Sequence, residues 1–306
     1  MEKTFIFGHK NPDTDSITSS LVMANFEEKM GNNVEACRLG KINKETEYVL
    51  KHFDIAAPEL LEEVKEGQKV MMVDHNEFNQ SVNGIENAEI LKVVDHHKIA
   101  NFVTKSPLFY VAMPVGCTAT ILANLCEINK IEIDEIMAGL MLSAIISDTL
   151  LLKSPTCTQK DKEIAKKLAK IAEIDINLYG LDMLKAGTDL SEFTPEELID
   201  IDSKTFTTNG VKYQVSQVNT ASIKDVLKDK KEIENAIKSF MKDNEIDLFI
   251  FMITDIIKND SQIIVLGKQE IAENAFNIKL EDNTAYLKGV VSRKKQVIPK
   301  IDNNIK

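Results

Sequence analysis

Six side chains in the first half of the chain are of the types that hold metal ions and activate water: His9, Asp13, Asp15, Asp74, His96 and Asp148. The stretch FGHKNPDTDS puts His9, Asp13 and Asp15 in a turn-rich loop held by Gly8 and Pro12, just ahead of a helix. Taken alone, the two aspartates are ordinary turn and N-cap residues, and a lone histidine is unremarkable. Two further apolar runs, VMMVDHNE and ILKVVDHHK, end in Asp74-His75 and in Asp95-His96-His97. In open α/β sheets ligands bind at the carboxyl ends of the strands, so three strands that all end in Asp or His aim those groups at one place.

Asp148 sits in LMLSAIISDTLLL. A helix-end carboxylate facing solvent is the plain account of it; if it is buried, an ionised carboxylate there is costly without a partner, and a cation removes the cost. Imidazole mixed with carboxylate, and no thiolate, suits manganese, cobalt or iron more than a structural zinc. Four aspartates and two histidines are too many for one ion, whereas two dications about 3.5 to 4 Å apart would use them all and balance four negative charges. A dinuclear centre that hydrolyses a phosphoester or phosphoanhydride is therefore expected.

A second feature lies near the C-terminus, where GVVSRKKQVIPK packs Arg293, Lys294 and Lys295 together. A charge run is ordinarily a solvated face. Beside a nearly neutral dinuclear centre, however, a polyanionic substrate still needs cations. Arg293 can grip phosphate oxygens bidentately while lysines act as point charges.

Strands and helices must position these groups. Up to about residue 190 short apolar runs (TFIFGH, VEACR, VMMVDH, ILKVVDHH, LFYVAM) alternate with helical periodicity over Ser16 to Lys29 and Glu45 to Phe53. This predicts an α/β fold with βαβ units and a mainly parallel sheet flanked by helices. A helical block is expected from Cys117 to Lys185. Periodicity lapses over Ala186 to Thr194, and Thr194, Pro195 and Glu197 then form a capping box with proline at the first helical position. The expected domains are 1–188, which holds the metals, and 189–306, which binds substrate, with the active site in the cleft between them. In the second, Asn209-Gly210 marks a hairpin between Lys204 to Thr208 and Val211 to Val218. An amphipathic stretch, Ile223 to Lys242, precedes another hairpin through Lys258 to Asp260, giving a smaller α+β unit.

Composition narrows the class. With 306 residues, 43% hydrophobic and 28% charged, the chain is long enough for two cores, and no apolar run reaches the 18 or so residues of a membrane span. The opening residues MEKTFIFGHK read as a strand rather than a signal peptide, so a cytoplasmic protein is expected. Cys37, Cys117, Cys126 and Cys157 lack CxxC spacing and read as reduced, packed thiols. A net charge of −11 argues against nucleic-acid binding. Of five histidines, His52 reads as a helix residue. His75 and Asp95 lie beside ligands, where they either orient them or simply pack.

On the stretches GHKNPDTDS (8–16), VDHNE (73–77), VVDHHK (93–98), SDTLLLKSPT (147–156) and SRKKQ (292–296), the chain resembles the manganese-dependent family II inorganic pyrophosphatases of the DHH phosphoesterase superfamily. The first four stretches are shared with other DHH enzymes, whereas SRKKQ belongs to the pyrophosphatase branch. The resemblance implies two Mn2+ (or Co2+) ions per subunit, with Mg2+ arriving with pyrophosphate. It implies His9, Asp13, Asp74 and Asp148 on one ion, and Asp15, Asp74, His96 and Asp148 on the other. A water or hydroxide between the ions would be the nucleophile. It places His97, Lys204, Arg293 and Lys294 on the substrate phosphates; for Lys204 no other ground exists. It also implies a homodimer through the N-terminal domain. Some members carry an inserted pair of nucleotide-binding CBS domains, for which this chain has no room, so no such regulation is expected. One rival is another DHH phosphoesterase, acting on short oligonucleotides, cyclic dinucleotides or polyphosphate, but the glycine-rich GGGH-type motif of those relatives is missing. A second is a catalytically silent phosphate- or metal-binding module, against which stand six competent ligand positions.

Overall fold

A computed structural model describes residues 3–99 and 102–305. The chain divides into two compact units, 1–187 and 188–306. In the first, six strands form one wholly parallel sheet: β1 (Thr4–Phe7), β2 (Val34–Arg38), β3 (Glu59–Leu60), β4 (Lys69–Val73), β5 (Glu89–Asp95) and β6 (Phe109–Ala112). Their order is β3-β2-β1-β4-β5-β6. The chain therefore winds outward from β1 in one direction and from β4 in the other. The crevice where the order reverses opens beyond the carboxyl ends of β1 and β4. Phe7, Val70, Met72, Val73, Val93 and Val94 are all inaccessible to solvent, as strands covered on both faces require.

Helix α1 (Thr14–Lys29) crosses from β1 to β2, and α2 (Lys44–His52) from β2 to β3. The expected helical block is four helices, α3 (Thr118–Asn129), α4 (Glu135–Asp148), α5 (Gln159–Ile171) and α6 (Ile176–Gly187). Residues 138–146 of α4 are buried without a break, because α1, α3, α5 and α6 surround it. Helices that are apolar all round belong in a core. Gly139 allows the close approach: a Cβ there would meet the Phe53 ring at 2.2 Å.

The second unit begins with α7 (Pro195–Asp200), started by the Thr194/Glu197 capping box. Its mixed sheet has the order β11-β10-β9-β8-β7, from β7 (Lys204–Thr208), β8 (Val211–Thr220), β9 (Leu248–Asp255), β10 (Asp260–Gly267) and β11 (Thr284–Leu287). Asn209 and Gly210 turn the first hairpin with φ of 47° and 80°, as a primed turn requires. The β9–β10 hairpin forms as expected. Between the hairpins, β8 and β9 pair in parallel, and the connection between them is not one helix. It runs α8 (Ile223–Val226), a 3-10 turn at 227–229 and α9 (Lys230–Asn244). Along β8 and β9 alternate residues feed two cores. Tyr213, Val215, Leu248, Ile250 and Met252 pack with α10 (Gln269–Phe276) and α11 (Ile298–Asp302), and Val218, Phe249, Phe251 and Ile253 with α7 and α9. Among the described residues no helix is long and apolar enough to cross a membrane.

Candidate metal centre

All six predicted ligands gather at the crevice beside β1 and β4. Asp13 is the N-cap of α1, accepting from the Ser16 N–H at 3.0 Å, so its plain role is real; its second oxygen lies 3.5 Å from His9 Nε2. Asp15, in the first turn of α1, is fully buried. Asp74 follows β4 with φ of 61°, a left-handed conformation that Asp tolerates better than most residues. His96 follows β5, and Asp148 ends α4, where the partial negative charge of the helix terminus adds to the demand for a cation.

Two donor sets result from the six ligands, beside a third group in which the half-exposed His97 joins Asp74 and His96. His9, Asp13 and Asp74 each offer an atom within 4.8 Å of the others, and so do Asp15, Asp74, His96 and Asp148. Asp74 belongs to both: Oδ2 is 3.4 Å from His9 Nε2, and Oδ1 is 3.3 Å from His96 Nε2. Asp148, which the resemblance put on both ions, joins only the second set, 3.7 Å from His96 Nε2. Both imidazoles are oriented as metal ligands are: Nδ1 of His9 faces the Lys10 carbonyl at 2.8 Å and Nδ1 of His96 the Val115 carbonyl at 3.1 Å, so each Nε2 points at the carboxylates.

Titration behaviour exposes the unbalanced charge. Burial disfavours the charged imidazolium of His9, but Asp13 and Asp74 outweigh it and push the group up to about 11; His96 rises likewise to about 9, with Asp74 and Asp15 overcoming its burial. Burial and the Asp74 carboxylate push Asp15 up to about 6. Burial, then Asp15 and Asp74, carry Asp148 well above the carboxylate range. Asp74 goes down, because the two imidazoles beside it outweigh its burial. Protons thus collect where dications would otherwise supply positive charge. The donor set of two imidazoles and four carboxylates fits a pair of manganese-like ions.

Several supporting residues gave no sequence signal of their own. The Ser16 hydroxyl donates to Asp74 Oδ2 at 2.9 Å and receives the His9 N–H at 3.1 Å. Gly8 makes room, since a Cβ there would lie 2.4 Å from Ser16 Oγ. Ser19 donates to Asp15, and the Thr118 N–H to the same carboxylate at 2.7 Å. The Glu45 carboxylate accepts from Thr14 and Ser147, neighbours of three ligands. A run of buried hydroxyls in α1 (TDSITSS), where an amphipathic helix would carry apolar residues, is the one clue that was available.

Asp95 and His75 part company. Asp95 accepts from Asn76 Nδ2 at 2.6 Å and the His97 N–H at 3.0 Å, and lies 3.0 Å from His97 Nδ1, which orients that ring and raises its pKa. His97 itself is half exposed. His75 is buried against Phe7 and His9, and burial lowers it to about 4. His52 stacks with Tyr48 on α2.

In the second unit, Lys204 and Arg293 adjoin the same residue: Lys204 is in register with Val215, whose carbonyl lies 3.5 Å from Arg293 Nη1. Arg293 is buried and paired with Asp202 at 2.7 Å, whereas Lys204, Lys294 and Lys295 are exposed.

Comparison with known proteins agrees with the fold. The model of the DHH family N-terminal domain matches residues 3–145 and that of the DHHA2 domain residues 181–304. A manganese-dependent inorganic pyrophosphatase of Bacillus subtilis is 52% identical over 301 residues, which cover 98% of this chain and 97% of the relative. The chain belongs to the manganese-dependent, family II inorganic pyrophosphatases. An Exiguobacterium protein named a probable member of the same group is 55% identical over 98% of this chain and 97% of its own. Among solved structures, a Methanococcus jannaschii protein for which the proposed assignment is family II inorganic pyrophosphatase superposes with a TM-score of 0.63 at 43% identity, covering 98% of this chain and 99% of that one. The resemblance carried by the five sequence stretches is thus borne out, as is the α/β fold.

Proposed function

We propose that the chain hydrolyses inorganic pyrophosphate to two orthophosphates at a dinuclear manganese centre. The observation that carries this is the pair of donor sets joined at Asp74, in a chain whose relatives are named manganese-dependent inorganic pyrophosphatases. His9, Asp13 and Asp74 would hold one ion, and Asp15, Asp74, His96 and Asp148 the other. Bound dications offset the four carboxylates and make water acidic enough to give hydroxide near neutral pH. His97, steadied by Asp95 at Nδ1, would offer its Nε2 to a phosphate oxygen and could hold a proton there. Arg293 grips phosphate with its planar fork, and Lys204 and Lys294 add point charges.

Cobalt would serve in place of manganese, since the donors are the same, and Mg2+ would enter with the substrate. We further propose a homodimer through the first unit, a cytoplasmic location, and no traffic with nucleic acid. The family-model matches leave no stretch between them long enough for an inserted regulatory pair of domains. The deciding experiment is phosphate release from pyrophosphate by chelator-stripped protein after adding back manganese, cobalt, zinc or magnesium. Activity should return with manganese or cobalt. No recovery with either, or a preference for a dinucleotide, overturns the proposal.

A further inference from the structure

Asp161 is a fully buried carboxylate that neither donor set uses. It is the third residue of α5, and part of its bonding is a capping box: the Thr158 N–H donates to Oδ2 at 2.7 Å while the Asp161 N–H donates to the Thr158 hydroxyl oxygen at 3.3 Å, and that hydroxyl donates in turn to Oδ2 at 2.6 Å. The N-cap residue thus accounts for these local bonds and no others. Two more come from the segment that leads into α3. The Gly116 N–H donates to Oδ2 at 2.9 Å and the Thr120 hydroxyl to Oδ1 at 2.7 Å. The fit is close, for a Cβ on Gly116 would lie 2.9 Å from Asp161 Oδ2 and 2.8 Å from Thr149 Cγ2, beside Asp148.

That clamped segment holds three ligands of one donor set. The Val115 carbonyl fixes His96 through Nδ1, the Thr118 N–H donates to Asp15 at 2.7 Å, and the Thr118 hydroxyl donates to Asp74 at 3.3 Å. The other set shares Asp74, but its own two ligands are oriented from within their loop: His9 by the Lys10 carbonyl and Asp13 by the Ser16 N–H. We infer that Asp161 is a positioning residue for one ion of the pair, the one held by Asp15, Asp74, His96 and Asp148. By fixing Val115–Thr120, it sets the directions from which those ligands meet the metal. The inference rests on the dinuclear centre proposed above and adds an asymmetry to it.

The test is a calorimetric Mn2+ titration of chelator-stripped full-length protein, wild type and Asp161→Asn, with the melting temperature of each stripped protein recorded. The amide keeps the volume but turns an NH2 group toward N–H and O–H donors. One ion should bind Asp161→Asn as it binds wild type, while the other weakens about 10- to 100-fold, the usual effect of losing a group that orients metal ligands. If Asp161→Asn fails to fold, Thr120→Val removes one donor from the same carboxylate and should weaken the same ion by about two- to tenfold. Wild-type affinity for both ions in the variant, or equal loss at both together with a lowered melting temperature, overturns the inference. Phosphate release measured on the same samples separates the two proposals. Wild type that binds two ions without cleaving pyrophosphate refutes the activity alone, and wild type that binds no ion refutes both.

Discussion

Replacing Asp148 by asparagine should separate the stability of the metal-free protein from its affinity for metal. Burial and the neighbouring Asp15 and Asp74 carboxylates raise the Asp148 carboxyl well above its ordinary range when no ion is bound, which favours its neutral form. An acid with a raised folded-state pKa costs the fold stability as pH climbs from its unfolded value toward the folded one. An amide of the same shape carries no such cost, and the stripped variant should melt at or slightly above the wild-type temperature. With metal the sign reverses, because removing one partner of a buried charge pair costs about 3–5 kcal/mol, or roughly 150- to 4,000-fold in affinity. At manganese about 100-fold above the wild-type dissociation constant of the site that Asp148 lines, binding at that site stabilises the wild type by about 2.7 kcal/mol and the variant hardly at all, while the other site contributes equally to both. For a unit of this size that is a difference of roughly 5–11 °C in the manganese-induced melting shift. Scanning calorimetry of both proteins, stripped and manganese-loaded, reads it directly. An equal shift in the two proteins would refute the placement of Asp148 on the metal, and a stripped variant melting far below wild type would make its role structural.

Manganese must displace protons from His9 and His96, which carboxylate neighbours hold up to about 11 and 9 against the effect of burial, so binding should release protons and weaken as pH falls. Calorimetry in two buffers of different ionisation enthalpy measures the release, and a proton count of zero contradicts it. Asp95→Asn should lower the pKa of His97 toward the ordinary value, because the Asp95 bond is the main cause of its rise; an unchanged imidazole titration by NMR would remove Asp95 from that role. Arg293→Lys should cost roughly 10- to 150-fold in kcat/KM, the worth of a charge-assisted bond that a point charge replaces poorly, with manganese affinity unchanged. A steady-state comparison showing no loss would take Arg293 off the substrate.

The strands that carry the ligands were legible in the sequence because each is an apolar run that stops at Asp or His, and their convergence follows from the rule for parallel sheets. β3 was not, since Glu59 and Leu60 are two exposed residues on an edge with no pattern to read. The parallel pairing of β8 with β9 was hidden for another reason: each also belongs to a hairpin, and the hairpin signals are local whereas this pairing spans a crossover. The break at 227–229 falls inside a stretch whose amphipathic period continues across it. At the site the ligands announced themselves by type, but the segment that orients them did not. Val115 acts through a carbonyl and Gly116 and Thr118 through N–H groups, and backbone groups leave no mark in a sequence. Asp161 reads as one more helix-capping acid until its second pair of donors is seen.

The left-handed backbone at Asp74 closes off routes by which this position can change over generations. Glutamate keeps the carboxylate but meets a steric cost of about 1–2 kcal/mol in that conformation and reaches one carbon further. Asparagine and glycine suit the backbone but bring no anion to two ions at once. Aspartate meets both demands at the least cost, so each first step away from it gives up either backbone ease or the anion that two ions would share.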